Sequence, residues 1–253
     1  MIDISDLSAG YPGKPVLSHL DLHIPRGKVT VIVGPNGCGK STLLKTLAGI
    51  LPKESGVIRV DGRDSGACSP RELARLLAYL PQSRPVPDIS VRRLVLHGRF
   101  PYLSYPRHYR PQDLAAADRA MERMDLCALA DRPVSTLSGG QRQKVYIAMA
   151  LAQDAPAILL DEPTTYLDVS HQLQLSGHAR FLAQEGKTVA LVLHDLAMAL
   201  RLADHIAVME GGRVTVQGDP ETVFASGCLD RAFGVAVRRF QTPDGWQYYC
   251  NPL

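Results

Sequence analysis

At 253 residues, with 45% hydrophobic and 21% charged residues and a formal charge of +3, the chain has the composition of a soluble globular protein with a sizeable core. That charge is too small to argue for binding to nucleic acid or anionic lipid, and no apolar stretch approaches the ~20 residues needed to cross a bilayer. Five scattered cysteines (Cys38, Cys68, Cys127, Cys228, Cys250) show neither metal-ligand spacing nor a disulfide framework, and the first six residues do not read as a signal peptide. The expectation is a reduced, cytosolic protein in which any membrane role needs a partner.

In chain order, residues 2–7, 20–24 and 57–60 predict a peripheral antiparallel layer, broken by Gly13, Pro25-Arg26-Gly27 and Gly56. Tyr11, in the turn Gly10-Tyr11-Pro12-Gly13, can stack on a nucleobase or simply pack its own turn. Three short apolar runs follow a different rule. Residues 29–33 run into Gly34, 157–160 into Asp161, and 189–193 into His194. Runs this short and unalternating predict strands of a parallel sheet buried on both faces, and ligands gather at the carboxyl ends of such strands.

After the first run, Gly34-Pro35-Asn36-Gly37-Cys38-Gly39-Lys40-Ser41-Thr42 satisfies the phosphate-loop pattern G-x-x-x-x-G-K-[ST]. Glycines let backbone N–H groups curl around phosphate oxygens, and the helix expected over 43–50 adds a favourable field. Lys40 supplies charge to the outer phosphates and Ser41 can ligate Mg²⁺. Average residue usage puts the chance occurrence of this pattern at about one in a hundred for such a chain. Cys38 lies inside the loop, so its alkylation is expected to inhibit. Gln82 follows Tyr79-Leu80-Pro81 at another strand end; its amide can reach a metal or water, or cap a loop.

From about residue 84 to 153 strand signals fade and helical ones dominate, as over 115–124, which predicts a helical insertion. It carries the Arg/Tyr-rich loop from Gly98-Arg99-Phe100-Pro101 to Arg110. Near its end, Leu137-Ser138-Gly139-Gly140-Gln141 precedes an apolar-periodic run and reads equally as an ordinary Ser138 cap or as a helix start facing an anion. Asp161 at a strand end suits a Mg²⁺ shell, and the adjacent Glu162 suits a general base. His194 can hydrogen-bond a terminal phosphate, or serve structure; the other seven histidines get the structural reading. Residues 206–209 and 214–216 predict a hairpin, as do 235–240 and 246–249. The only asparagines are Asn36 and Asn251, so the Asn-Lys-x-Asp guanine reader is absent and ATP is favoured.

Taken together, the phosphate loop, Gln82, the 137–141 stretch, Asp161-Glu162 and His194, in this order, resemble the ATP-binding subunit of an ABC transporter over nearly the whole chain. The resemblance implies an α/β P-loop NTPase fold (RecA-like): a mostly parallel sheet core with an antiparallel β layer and an inserted α-helical subdomain. One domain spans 1–253, its core and tail from 1–83 and 154–253, its helical signature subdomain from 84–153. It further implies that Tyr11 stacks on adenine, that Ser138, Gly139, Gly140 and Gln141 form the signature, that His194 is the switch, and that Asp168 crosses between subunits. Two copies would pack head to tail, with ATP and Mg²⁺ between one copy's phosphate loop and the other's signature. Expected partners are a second copy, transmembrane permease subunits and, indirectly, a periplasmic or lipoprotein substrate-binding protein. The place implied is the cytoplasmic side of the inner membrane.

Gly98-Arg99-Phe100-Pro101, the run from Asp161 through Thr165-Tyr166-Leu167 to Asp168, and Leu193-His194-Asp195-Leu196 are similar to importers of iron chelates, haem and vitamin B12. The competing reading is a soluble ABC ATPase acting on nucleic acid or ribosomes, for which the gap between phosphate loop and signature is short and the charge small. A P-loop kinase has no use for residues 137–141.

Overall fold

The computed structural model describes residues 1–82, 85–164, 168–243 and 245–253. Arg84 at the expected boundary, Thr165, Tyr166 and Leu167, and Asp244 of the tail turn lie outside the described residues.

The chain opens with antiparallel strands β1 (Ile2–Tyr11) and β2 (Lys14–Ile24), then enters a central sheet with β3 (Val29–Val33). Helix α1 (Lys40–Leu47) follows the phosphate loop, and β4 (Lys53–Val60) and β5 (Arg63–Asp64) return to the first sheet. Next come α2 (Pro70–Leu76) and β6 (Leu77–Leu80), then α3 (Val91–His97), α4 (Pro111–Arg123) and α5 (Gly139–Gln153). Strand β7 (Ala157–Leu160), α6 (Val169–Gln184), β8 (Thr188–Val192), α7 (Leu196–Leu202) and β9 (His205–Glu210) complete the parallel part. Strand β10 (Arg213–Gly218), α8 (Pro220–Ala225), α9 (Cys228–Phe233) and the hairpin β11 (Val235–Thr242) and β12 (Gly245–Pro252) close the chain.

Among the described residues the central sheet has the order β10-β9-β3-β8-β7-β6, parallel except for the edge strand β10. Its strands are apolar on both sides because they divide two cores. Val31, Val33, Ile158, Leu160 and Leu191 pack toward the helical side; Ile32, Leu159, Ala190 and Val192 pack toward α1 and the antiparallel layer β2-β1-β4-β5. The three apolar runs thus fall where the sequence predicts, the third starting one residue earlier, at Thr188. The first antiparallel strands run longer than expected. Register shifts between Ile4 and Leu7 and between Leu7 and Ala9 break the alternation that would have revealed their length.

Helices α3, α4 and α5 pack on one another as the expected helical insertion. Helix α4 starts at Pro111, ahead of the expected 115, because Pro occupies its first turn and the Asp113 carboxylate accepts the Arg110 N–H at 3.0 Å. The Arg/Tyr loop is no basic patch at Arg99. That side chain is buried: Nε donates to Asp113 Oδ1 at 3.0 Å, Nη1 donates to the Ala152 carbonyl at 2.8 Å, and the guanidinium lies 3.9 Å from the Tyr102 ring centroid. Gly98 is a glycine for a packing reason, since a Cβ there would strike the Met149 carbonyl of α5.

Both expected hairpins form, but β9 and β10 belong to the central sheet. The β11–β12 hairpin packs on its own chain. Ala236 and Val237 are buried, and Arg239 stacks between Phe224 and Trp246 while pairing with Glu221. Among the described residues no helix is long and apolar enough to cross a membrane.

Removing Asp113 would leave the Arg99 guanidinium buried without its counter-charge. Asp113→Ala is expected to cost about 3–5 kcal/mol in urea unfolding, and adding Arg99→Met in the same chain should recover part of that loss.

Candidate functional site

The strand ends set the site. Leu80 pairs with Leu160, Leu160 with Leu191, Ile32 with Val192 and Val33 with Val208. The residues that follow β3, β6, β7 and β8 therefore emerge at one edge of the sheet. They are the phosphate loop, Gln82, Asp161-Glu162 and His194.

The phosphate loop turns on glycines that the backbone requires. Gly39, the residue before α1, has φ 106°, and a Cβ there would lie 2.8 Å from Leu17 of β2. No side chain caps α1 and no acidic residue stands in its first turn, so its positive end is left for an anion. Lys40 is buried, its ammonium donating to the carbonyls of Gly34 at 2.7 Å and Pro35 at 3.0 Å. A positive charge is thus already placed inside the loop. The Cys38 thiol is also buried and its pKa is raised by that burial, which leaves little thiolate for the alkylation expected from sequence.

Across the loop, Ser41 Oγ donates to Asp161 Oδ1 at 2.9 Å and the Tyr79 hydroxyl donates to Asp161 Oδ2 at 3.1 Å. Asp161 is 2% exposed, and desolvation pushes its pKa up against the opposing pull of these two hydrogen bonds. Ser41 and Asp161 form the kind of hard oxygen pair that a small divalent cation takes. No group of three or more His, Cys, Asp or Glu converges among the described residues, so such a cation would complete its shell with water and phosphate oxygens.

Glu162 is held on both sides. His194 Nε2 lies 2.6 Å from its Oε1, and the Gln82 amide donates to its Oε2. A carboxylate only accepts, so the histidine proton sits on Nε2. The backbone of Glu162 has φ 47°, a left-handed conformation that costs an ordinary residue about 1–3 kcal/mol. The strain turns its side chain away from the buried strand and toward the cleft.

That cleft has a volume of 260 Å³ and is lined by Tyr11, Lys14, Asn36, Lys40, Ser41 and Glu162 among others. Tyr11 stands exposed on its rim in the β1–β2 turn. Residues 138–141 do not line it. Ser138 and Gln141 instead form a complete capping box on α5: the Gln141 N–H donates to Ser138 Oγ at 3.3 Å, and the Ser138 N–H to Gln141 Oε1 at 3.1 Å. Ser138 and Gly139 are exposed to solvent at the start of that helix. Asp168 caps α6, and hydrogen bonds from the His171 backbone and ring hold its carboxyl below the ordinary value.

This arrangement has known relatives. Residues 17–165 match the family pattern described as ABC transporter. The chain belongs to the ABC transporter family. As a member it is an ATP-binding ATPase. It is 42% identical to the ferric enterobactin transport ATP-binding protein FepC of Escherichia coli (strain K12), covering 94% of this chain and 88% of that one. It is 43% identical to the hemin import ATP-binding protein HmuV of Streptomyces coelicolor, covering 91% and 82%. A solved ABC transporter described as of metal-chelate type, in an inward-facing conformation, superposes with a TM-score of 0.86 at 28% identity, covering 100% and 97%.

Three residues of the ABC site region escaped sequence reasoning. The sequence marks Tyr79 only as part of the strand end before Gln82, yet its hydroxyl reaches Asp161. Gln143, one turn into α5, donates to the Pro163 carbonyl at 2.8 Å. His171, three residues after Asp168, carried a readable signal in that spacing, since a cap and its third helical residue face each other.

The raised pKa of Asp161 sets the sign of a pH effect. The folded chain binds that proton more tightly than the unfolded one, so ionised Asp161 lowers stability above its titration and costs nothing well below it. Asp161→Asn is expected to raise the melting temperature of the nucleotide-free protein at pH 8 by about 2–4 °C, or about 1 kcal/mol in a chain of this size. The gain should vanish toward pH 4 in the same thermal scans.

Proposed function

We propose that this ATPase drives uptake of an iron chelate, of the siderophore or haem class, through a separate membrane permease. In this reading two copies close head to tail around two ATP molecules on the cytoplasmic side of the membrane. A substrate-binding protein outside would act on them only through the permease. One observation carries the half-site reading: Glu162, Lys40, Ser41 and Tyr11 share a cleft that residues 138–141 of the same chain do not line. A helix start with Ser138 and Gly139 exposed at its tip then has a partner's γ-phosphate as its natural anion.

That cleft and the family resemblance together support the following roles. Lys40 and the backbone N–H groups of residues 36–42 bind the phosphates, and Tyr11 stacks on the adenine. Ser41, Asp161 and Gln82 would hold Mg²⁺, which supplies charge neutralisation on the phosphate oxygens when bound. Glu162 orients the attacking water and takes its proton. Its carboxylate is paired with Gln82 and His194. A γ-phosphate offers His194 an alternative acceptor, and that exchange frees Glu162 to act as base. Asp168 crosses to the partner copy.

Magnitudes agree with this mechanism. Moving a dimer from almost all open to almost all closed takes about 5.5 kcal/mol of differential binding. Charge-assisted hydrogen bonds contribute about 1.5–3 kcal/mol each, so a few donors from Ser138, Gly139 and Gly140 at two sites suffice. Hydrolysis removes those contacts, and the reopening moves whatever permease segment rests near Gln82 and the helices α3–α5.

Glu162→Gln is expected to bind ATP and to accumulate an ATP-bound dimer by size-exclusion chromatography, with turnover lowered by at least about a hundredfold. Ser138→Arg should bind nucleotide as a single copy yet fail to dimerise; an undiminished dimer would remove the half-site reading. In proteoliposomes with the cognate permease, ATP-dependent uptake is expected from a panel of ferric siderophores, haem and corrinoids. Uptake of a sugar or amino acid instead would remove the substrate assignment.

A further inference from the structure

We propose that His171 is a positioning residue that locks Asp168 to the signature cap of its own chain, so that both reach the partner copy's site as one unit. The inference rests on the head-to-tail reading above. Asp168 begins α6 as its cap, and a cap needs only a bond from the third helical N–H, here His171 N at 2.9 Å. The His171 ring adds a second bond, Nδ1 to the same Oδ1 at 2.7 Å. Because a carboxylate only accepts, Nδ1 carries the proton, and this bond fixes the ring plane.

The far edge of that ring lies on Gly140. A Cβ built on Gly140 would stand 2.6 Å from His171 Nε2, 2.8 Å from Cδ2 and 3.0 Å from Cε1. Gly140 sits inside α5 and has no positive φ, so its backbone does not ask for glycine. The imidazole does. At Gly139, next door, a Cβ would meet nothing within 4 Å. A side chain at 140 could be accommodated only by swinging the ring off, which would break its bond to Asp168.

The same helix holds the other end of this segment. Gln143 Nε2 donates to the Pro163 carbonyl, directly after Glu162. Helix α5 therefore touches both Pro163, through Gln143 beside the catalytic carboxylate, and the His171 ring that holds Asp168, through Gly140. A displacement of the signature start is transmitted to Asp168 by contact, without rearrangement of the sheet.

The test uses the full chain and two substitutions, alone and combined. His171→Ala should leave single-copy binding of a fluorescent ATP analogue unchanged and lower kcat about tenfold or more, because the groups completing the partner's site are no longer held in register. Gly140→Ala should produce a loss of similar size by displacing the ring. In the His171→Ala background, however, Gly140→Ala should cost less than about twofold more, the signature of two changes acting through one contact. Parental kcat in His171→Ala, or an equal cost of Gly140→Ala in both backgrounds, overturns the proposal. If His171→Ala does not fold, Gly140→Ala alone decides: parental kcat overturns it, and a drop in kcat with single-copy binding intact supports it. ATP-driven dimerisation separates this failure from that of the reading beneath it. If Glu162→Gln does not dimerise with ATP, the head-to-tail reading falls and takes this inference with it. If it dimerises with ATP while His171→Ala keeps parental kcat, only this inference falls.

Discussion

Burial of the central sheet on both faces is the constraint from which the rest of the molecule follows. A strand such as β3, with all five residues buried, leaves little room for polar side chains: its one polar residue, Thr30, keeps a hydroxyl without a hydrogen-bond partner among the described residues. Polar chemistry is pushed to the carboxyl end, where the chain leaves the sheet. Because β6, β7, β8 and β3 pair with their ends in register, four such exits open at one edge. Loop amides, a carboxamide, two carboxylates and an imidazole then lie within hydrogen-bonding reach without any long loop to hold them.

The same constraint makes the site costly to the fold. Asp161 is drawn under the surface, and its charge is tolerated only with Ser41 and Tyr79 donating to it. Glu162 adopts a left-handed backbone to leave the strand in the other direction. Lys40 rests on carbonyls of its own loop rather than in water. Each arrangement is less favourable than its surface equivalent. Neither oxygen of the Glu162 carboxylate is left without a neighbour, since Gln82 holds one and His194 the other.

The helical side of the molecule obeys a different logic. Arg99, Asp113 and Gly98 set the packing of the α3–α5 helices through a buried ion pair and a close backbone approach, although they lie in a segment whose arginines and tyrosines suggest a surface for binding. Residues 138–141 are finished as a helix cap, with Ser138 and Gly139 exposed and all four away from the cleft of their own chain. His171 and Gln143 tie that cap to the segment beyond Glu162, so the two regions of the chain meet at a contact between side chain and backbone.

Much of this was legible in the amino-acid sequence, for identifiable reasons. Unalternating runs such as 29–33 and 157–160 announce strands buried on both faces, and a glycine-rich turn ending in Lys40-Ser41 announces a phosphate loop. Chemistry that depends on local spacing, including the Ser138 cap, is readable because neighbours in sequence are neighbours in space. The bulged strands β1 and β2 were legible only in part, since each register shift breaks the period by which length is judged. What the sequence by itself determined is the set of strands, the phosphate loop and the polar residue that each strand delivers. Only the tertiary structure decided the partners: Tyr79 on Asp161, Gln82 and His194 on Glu162, Arg99 buried against Asp113, and His171 on Gly140. Most of those pairs are separated by tens of residues along the chain. Their meeting depends on strand order and on how two helices pack, which no local pattern encodes.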